Sequence, residues 1–409
     1  MQIKRSLSIY LGIYLSILLT CNAFLGLFFP KMILRIIYIL LIAVILLFQI
    51  IKKNMIISMS KMDIMISGYI IYSMLRILAQ IILGDVSTAT NISFFQTVIP
   101  VFMYFIAKKI DGESSRKIEI WLGFFGTLSV ALGLVDRIYK ILPAVGAFKN
   151  DLYASVGGGA VVTRGYSLAG SALVTGYICI IAIMFMLPIK VKTKYAYWGK
   201  VVGVIILAIG LAATLSRGAF FSLIIAMMVL YSSKINVWMS KISKRKFVMF
   251  FCAIFILAIL VMVNVEKIMD STIYKRLFDV GFSILDSSNS NRINFQTSAL
   301  AAIKEYFLFG KGFGFVGVQA LSANVIGGVN TESYFLSLIV NGGIIYFILF
   351  LVIVVYATLK KNKDIDKKYV SVVIAITVWS ITYIPLDSDL NAAFFWYCIG
   401  RIFSVNTSV

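Results

Sequence analysis

The chain of 409 residues contains no histidine. That absence removes the side chain best suited to proton transfer near neutral pH and the commonest metal ligand, so imidazole catalysis and histidine-built metal centres are excluded. Cysteine is sparse. Cys21, Cys179, Cys252 and Cys398 all lie in apolar runs without paired spacing, and they read as packing residues. Acids are few as well, 17 Asp and Glu against 38 Lys and Arg, for a formal net charge of +21. Such an excess can suggest nucleic acid, but the cations fall in short clusters between apolar runs, which is membrane topology information. No nucleic-acid partner is expected. Gly310-Lys-Gly-Phe-Gly314 lacks the spacing and the Ser or Thr of a phosphate-binding P-loop. No internal repeat and no low-complexity linker divides the chain, so residues 1–409 read as one polytopic membrane domain.

What is present is apolar length. The chain is 61% hydrophobic, with a mean hydropathy of +0.97. A soluble interior of this size could not house so many Ile, Leu, Val and Phe side chains. Runs of roughly 17–25 apolar residues match helices that cross about 30 Å of hydrocarbon. The expected fold is all-α, an integral membrane protein with about 12 transmembrane helices. Their expected limits are 7–29, 32–51, 62–83, 90–107, 118–138, 166–188, 198–215, 218–233, 246–265, 332–358, 369–386 and 390–406. The basic start Met1-Gln-Ile-Lys-Arg-Ser6 and the run after it read as a retained first span, because the run outlasts a signal-peptide core.

The loops carry the orientation. Lys4 and Arg5, then Lys52, Lys53 and Lys61, then Lys108, Lys109, Arg116 and Lys117 fall on one side. Lys190, Lys192 and Lys194, the group from Lys234 to Lys246, and the group from Lys360 to Lys368 join them. The early turns of the other side hold only Lys31 and Asp85. By the positive-inside rule the clustered side is cytoplasmic, with both termini inside.

Two outer segments stand apart. One runs from 138 to 165, with Gly157-Gly-Gly159 ahead of Arg164. The other, 266–331, joins spans nine and ten and is too long for a mere connector. It is expected to be a large structured loop. A helix is expected after Asn291 as N-cap, with Ile293, Leu300, Ile303 and Phe307 on one face and the glycine turn 310–314 at its end.

The chemically suggestive residues all fall on this outer side. Arg164 opens the sixth span, Arg217 sits between spans seven and eight, and Arg292 begins the loop helix. A guanidinium offers a planar fork that matches phosphate, so the three could together hold a pyrophosphate and stabilise it as a leaving group. Each could also simply anchor a helix end at the interface. Lys311 lies in the glycine turn, which could equally be a plain helix stop. Glu332 starts the tenth span, either as a general base or as an acid favoured by the helix dipole. Asp387 and Asp389 are second candidates for the base and candidates for substrate binding, or simple turn residues.

Several of these segments, taken in order, resemble the O-antigen ligase and O-antigen polymerase superfamily of bacterial surface polysaccharide assembly. They are Arg164-Gly-Tyr-Ser-Leu-Ala-Gly170, Leu215-Ser-Arg-Gly-Ala219, Asn291-Arg292, Phe309-Gly-Lys-Gly-Phe-Gly314, Asn330-Thr-Glu-Ser-Tyr-Phe-Leu336 and Asn341-Gly-Gly-Ile344. The resemblance covers about residues 160–350 and rests on the ordered set, since each motif is short. It implies a metal-independent glycosyltransferase without a cofactor, in the bacterial plasma membrane, using an undecaprenyl-pyrophosphate-linked oligosaccharide at the outer face. By the same resemblance Arg217 and Arg292 bind pyrophosphate and Arg164 lines the substrate path. Ligases of the family carry histidine where this chain has Glu332, which favours a polymerase of capsule, exopolysaccharide or O-antigen repeats with Glu332 as the base. A chain-length regulator and a flippase are the expected protein partners. The alternatives are a ligase and, from another class, a flippase or exporter of lipid-linked oligosaccharide. A transporter should show related halves and polar groups at the midplane, and neither is visible in the sequence.

Overall fold

A computed structural model describes residues 2–51, 59–139, 153–155, 161–241, 287–316, 331–360 and 367–404. Thirteen α-helices account for most of the described residues. In chain order they are α1 (Gln2–Leu25), α2 (Lys31–Ile51), α3 (Lys61–Leu83), α4 (Thr88–Val98), α5 (Met103–Lys108), α6 (Gly112–Tyr139), α7 (Ala172–Met186), α8 (Lys194–Ala213), α9 (Arg217–Lys241), α10 (Ser287–Glu305), α11 (Tyr334–Leu359), α12 (Lys367–Trp379) and α13 (Asp389–Ile402). A 3-10 turn, Ile99–Phe102, joins α4 to α5 where Pro100 removes a helical donor. One small antiparallel ladder pairs β1 (Tyr153–Ser155) with β2 (Val161–Thr163), Ala154 opposite Val162.

By length and composition, five helical stretches among the described residues can cross a membrane: α3, the α4–α5 stretch, α6, α8 and α11. Shorter apolar helices cover Ile9–Leu25, Ile33–Leu47, Ala172–Met186 and Arg217–Ser232. The expected ninth span, the Gly157–Gly159 run, Cys252 and much of the 266–331 loop lie outside the described residues.

Two helix starts differ from the sequence reading. The sixth span does not open at Arg164 or Tyr166; α7 begins at Ala172, with Ser171 as its N-cap. The stretch before it stays extended because other groups claim its backbone. Leu168 donates to the Ser129 hydroxyl and accepts from the Phe24 amide, while the Ser167 amide donates to Thr175 Oγ1. Nor is Asn291 an N-cap, since α10 already starts at Ser287. The buried stripe of α10 is Ala299 and Ile303, packed with Ala302 against Leu336, Ile339 and Val340, while Leu300 and Phe307 are exposed.

The bundle has two chemically distinct ends. At one, cations meet buried acids. Lys108 pairs with Asp63 at 2.5 Å, and Tyr104 donates to the same carboxylate at 2.7 Å. Glu119, fully buried on α6, accepts from Lys368 at 2.6 Å and from Tyr369 and Ser115. Arg401 on α13 donates to the carbonyls of Ala107 and Ile110 and lies over the Tyr369 ring. Breaking a pair of this kind strands a charge in an apolar interior, at a cost of roughly 3–5 kcal/mol. The apolar core lies between this network and the opposite end, with Tyr177, Phe185, Tyr346, Phe350, Trp379 and Phe395 among its largest side chains.

Candidate functional site

The candidate residues lie at that opposite end, on connections between helices. The α8–α9 connection is only Thr214-Leu215-Ser216, so tight that Leu215 takes a left-handed φ of 53°. The Ser216 hydroxyl caps α9 by accepting from the Ala219 amide at 3.5 Å. Arg217 is therefore the first residue of α9. A cation there opposes the helix dipole, whereas an anion would be attracted by dipole and guanidinium together. Arg164 reaches the same turn. Its Nε donates to the Thr214 carbonyl at 2.7 Å, and the neighbouring Gly165 amide donates to Ala213 at 2.6 Å.

Glu332 sits just ahead of α11 rather than within it. Ser333 takes the cap position, its amide donating to Thr331 Oγ1 at 3.1 Å, and the helix begins at Tyr334. This corrects the reading of Glu332 as the first helical residue. The Tyr334 amide donates to the carbonyls of Ser380 and Tyr383, fixing this start against the end of α12. Gly218, next to Arg217, approaches the same place: a Cβ there would meet Trp379 at 2.7 Å and Thr382 at 3.1 Å. The 379–383 turn thus has the Arg217 segment on one side and the Glu332 segment on another.

Asp387 follows on the loop that continues from this turn, and its charge acts on Tyr334. Burial pushes the Asp387 carboxyl up to about 6. Asp389 has a different place. It is the first residue of α13 and pairs with Arg35 of α2 at 3.2 Å, a contact that ties two helices together.

The glycine turn lies beside α11. Lys311 lies over the rings of Tyr306 and Phe315, and its amide donates to the Val340 carbonyl at 2.6 Å. Helix α11 breaks at Gly343, whose φ of 76° and ψ of −178° are essentially glycine-only. Arg292 is in the second turn of α10, the helix that packs on the first half of α11.

Sequence reasoning missed three residues at this end: Arg35, Arg76 and Gln80. Arg76 Nη2 donates to the Gly310 carbonyl at 3.0 Å, and Gln80 exchanges two hydrogen bonds with the Phe313 backbone at 3.1 and 2.9 Å. A signal existed. Arg35 and Arg76 are lone guanidiniums inside apolar runs, where a charge is costly and calls for a partner.

Fold and site together define a multi-pass helical membrane protein with polar chemistry gathered at one end of its bundle. A family model described as O-antigen ligase matches residues 202–351. That match supports the O-antigen ligase and polymerase superfamily, whose members are glycosyltransferase-like enzymes. It runs from α8 through the Arg217 turn and the 310–314 glycines to the break in α11. With the apolar helices it supports a bacterial inner-membrane protein acting on lipid-linked glycans. No curated protein matches the chain.

Proposed function

We propose that the protein is a polysaccharide polymerase that joins undecaprenyl-pyrophosphate-linked repeat units at the outer face of the bacterial plasma membrane. The observation that carries this reading is the meeting of the Arg217 and Glu332 segments at the 379–383 turn, with Arg164 fastened beside Arg217. On this reading the end bearing them faces outward and both termini are cytoplasmic, as the lysine clusters imply.

The chemistry then needs no nucleotide. Glu332 takes the proton of an acceptor sugar hydroxyl, and that oxygen bonds to the anomeric carbon of the donor glycan. The anomeric carbon–oxygen bond to pyrophosphate breaks, and undecaprenyl pyrophosphate departs as an anion. Arg217 and Arg292 take up its developing charge through bidentate hydrogen bonds, and Arg164 lines the approach. Lys311 and Asp387 belong to the substrate-binding surface. A ligase would use the same leaving group; the glutamate at position 332 favours polymerisation.

The test is Arg217→Lys in cells that display the polymer. Lysine keeps the charge and loses the fork, so the ladder of long chains should collapse toward one repeat at normal protein level. A full ladder would reduce Arg217 to a helix anchor. Accumulation of repeats on the inner face would indicate an exporter.

A further inference from the structure

The segment after α10 does not stay at the end of the bundle; it lies along α3, rising from residues 307–310 to Gly314. Gly314 abuts Ala89 and Thr90, at the start of α4. Phe313 is then held by Gln80, Gly310 by Arg76, and Tyr72 reaches the Gly342 carbonyl at 2.7 Å. Positions 80, 76 and 72 are successive turns of one helix face, read downward from the Leu83 end. At 1.5 Å per residue, Arg76 lies about 10 Å from that end. Helix α11 gives a second measure. The Phe307 carbonyl accepts from the Ile344 amide at 2.9 Å, and Leu308 abuts Gly343. Gly343 is nine residues into α11, about 14 Å from its start. Half the hydrocarbon core is about 15 Å thick.

Beside these positions of α3 and α11, three consecutive large apolar side chains are uncovered by the protein: Phe307 is 51% exposed, Leu308 55% and Phe309 58%. In water, such a run would be an apolar patch without a cover. The backbone is also provided for. Gly310 donates to Tyr306, Ile344 to Phe307 and Lys311 to Val340, and Arg76 donates to the Gly310 carbonyl. Non-helical backbone at membrane depth must be satisfied in this way by the protein itself. Lys311 lies against Tyr306 and Phe315, as a cation does when its stem crosses an apolar layer.

We propose that residues 306–310 are a re-entrant wedge, with Phe307, Leu308 and Phe309 lying among the lipid acyl chains of the leaflet at this end of the bundle. The partner is the bilayer itself. The wedge would hold α10, and Arg292 on it, down at the membrane surface. The expectation of a wholly external 266–331 loop narrows accordingly. None of this depends on the reaction being a polymerisation.

A nitroxide spin label at Leu308→Cys, compared with one at Lys304→Cys in the exposed last turn of α10, tests the wedge. The full chain is reconstituted in phosphatidylethanolamine–phosphatidylglycerol nanodiscs, with the labelled wild-type protein as background for its own cysteines. Collision rates are measured with oxygen, which concentrates in lipid, and with a water-soluble nickel chelate. The expected result is a severalfold higher oxygen-to-nickel ratio at 308 than at 304. Low ratios at both 308 and 304, as for a label in water, would put the segment in water and overturn the proposal. Low access to both reagents, with an immobilised spectrum, would overturn it too, because protein would then cover the patch. Phe309→Cys gives the same reading if the 308 variant does not fold.

Discussion

The Arg164 guanidinium donates from Nε to the carbonyl oxygen of Thr214 at 2.7 Å, three residues ahead of Arg217. That bond holds a turn whose central residue, Leu215, has a left-handed backbone. Arg164 therefore fixes the direction in which α9, and Arg217 at its head, leaves the turn. Arg164→Gln should lower polymer output in vesicles roughly tenfold or more, since a charge-assisted hydrogen bond is worth about 1.5–3 kcal/mol. Full activity in that variant would leave Arg164 without a part in placing Arg217.

Glu332→Gln keeps the shape of the side chain and removes its basic oxygen. Single lipid-linked repeats should build up on the outer face while long polymer disappears, as read by gel ladder and lipid extraction. A normal ladder would transfer the role of base away from Glu332.

Gly343→Ala should loosen the contact between α11 and the segment below α10. Alanine at this φ and ψ costs about 1–3 kcal/mol, and its methyl would collide with the Leu308 carbonyl. A lower unfolding temperature in detergent is expected, together with faster proteolysis near the glycine turn. An unchanged melting curve would mean that the break in α11 is not strained.

Asp387 sets a pH dependence whose sign follows from its environment. Its carboxyl ionises near pH 6 in the folded protein, above the ordinary 3.8, because burial penalises the charged form. The stability it contributes is fully present below its unfolded value and is lost as pH rises through about 6. Wild-type protein should therefore lose unfolding temperature between pH 5 and 7.5 relative to Asp387→Asn. Parallel curves would show that Asp387 is solvated.

The sequence made the helical class, most helix positions and the matching family readable, because a long apolar run has few other stable forms. It could not reveal which backbone groups are claimed from far away. Tyr166 looked like the beginning of a span, yet its hydroxyl bonds Asp136 of α6 at 2.8 Å and its segment stays extended. Asn291 had the chemistry of a cap, but α10 starts a turn earlier. Arg76 and Gln80 stand in an apolar helix with no partner near them in the sequence. Their partners, Gly310 and Phe313, lie more than 230 residues further on.

The buried Glu119 has a consequence for how the chain is made. Its cationic partner Lys368 lies 249 residues downstream, and Tyr369 is next to it. During synthesis the sixth helix must therefore enter the bilayer carrying an acid whose counter-charge has not yet left the ribosome. Until α12 arrives, that carboxylate lacks the ammonium it pairs with in the folded bundle. A chain ending before Lys368 would therefore keep the five membrane-length stretches described above and still leave Glu119 buried without its ammonium.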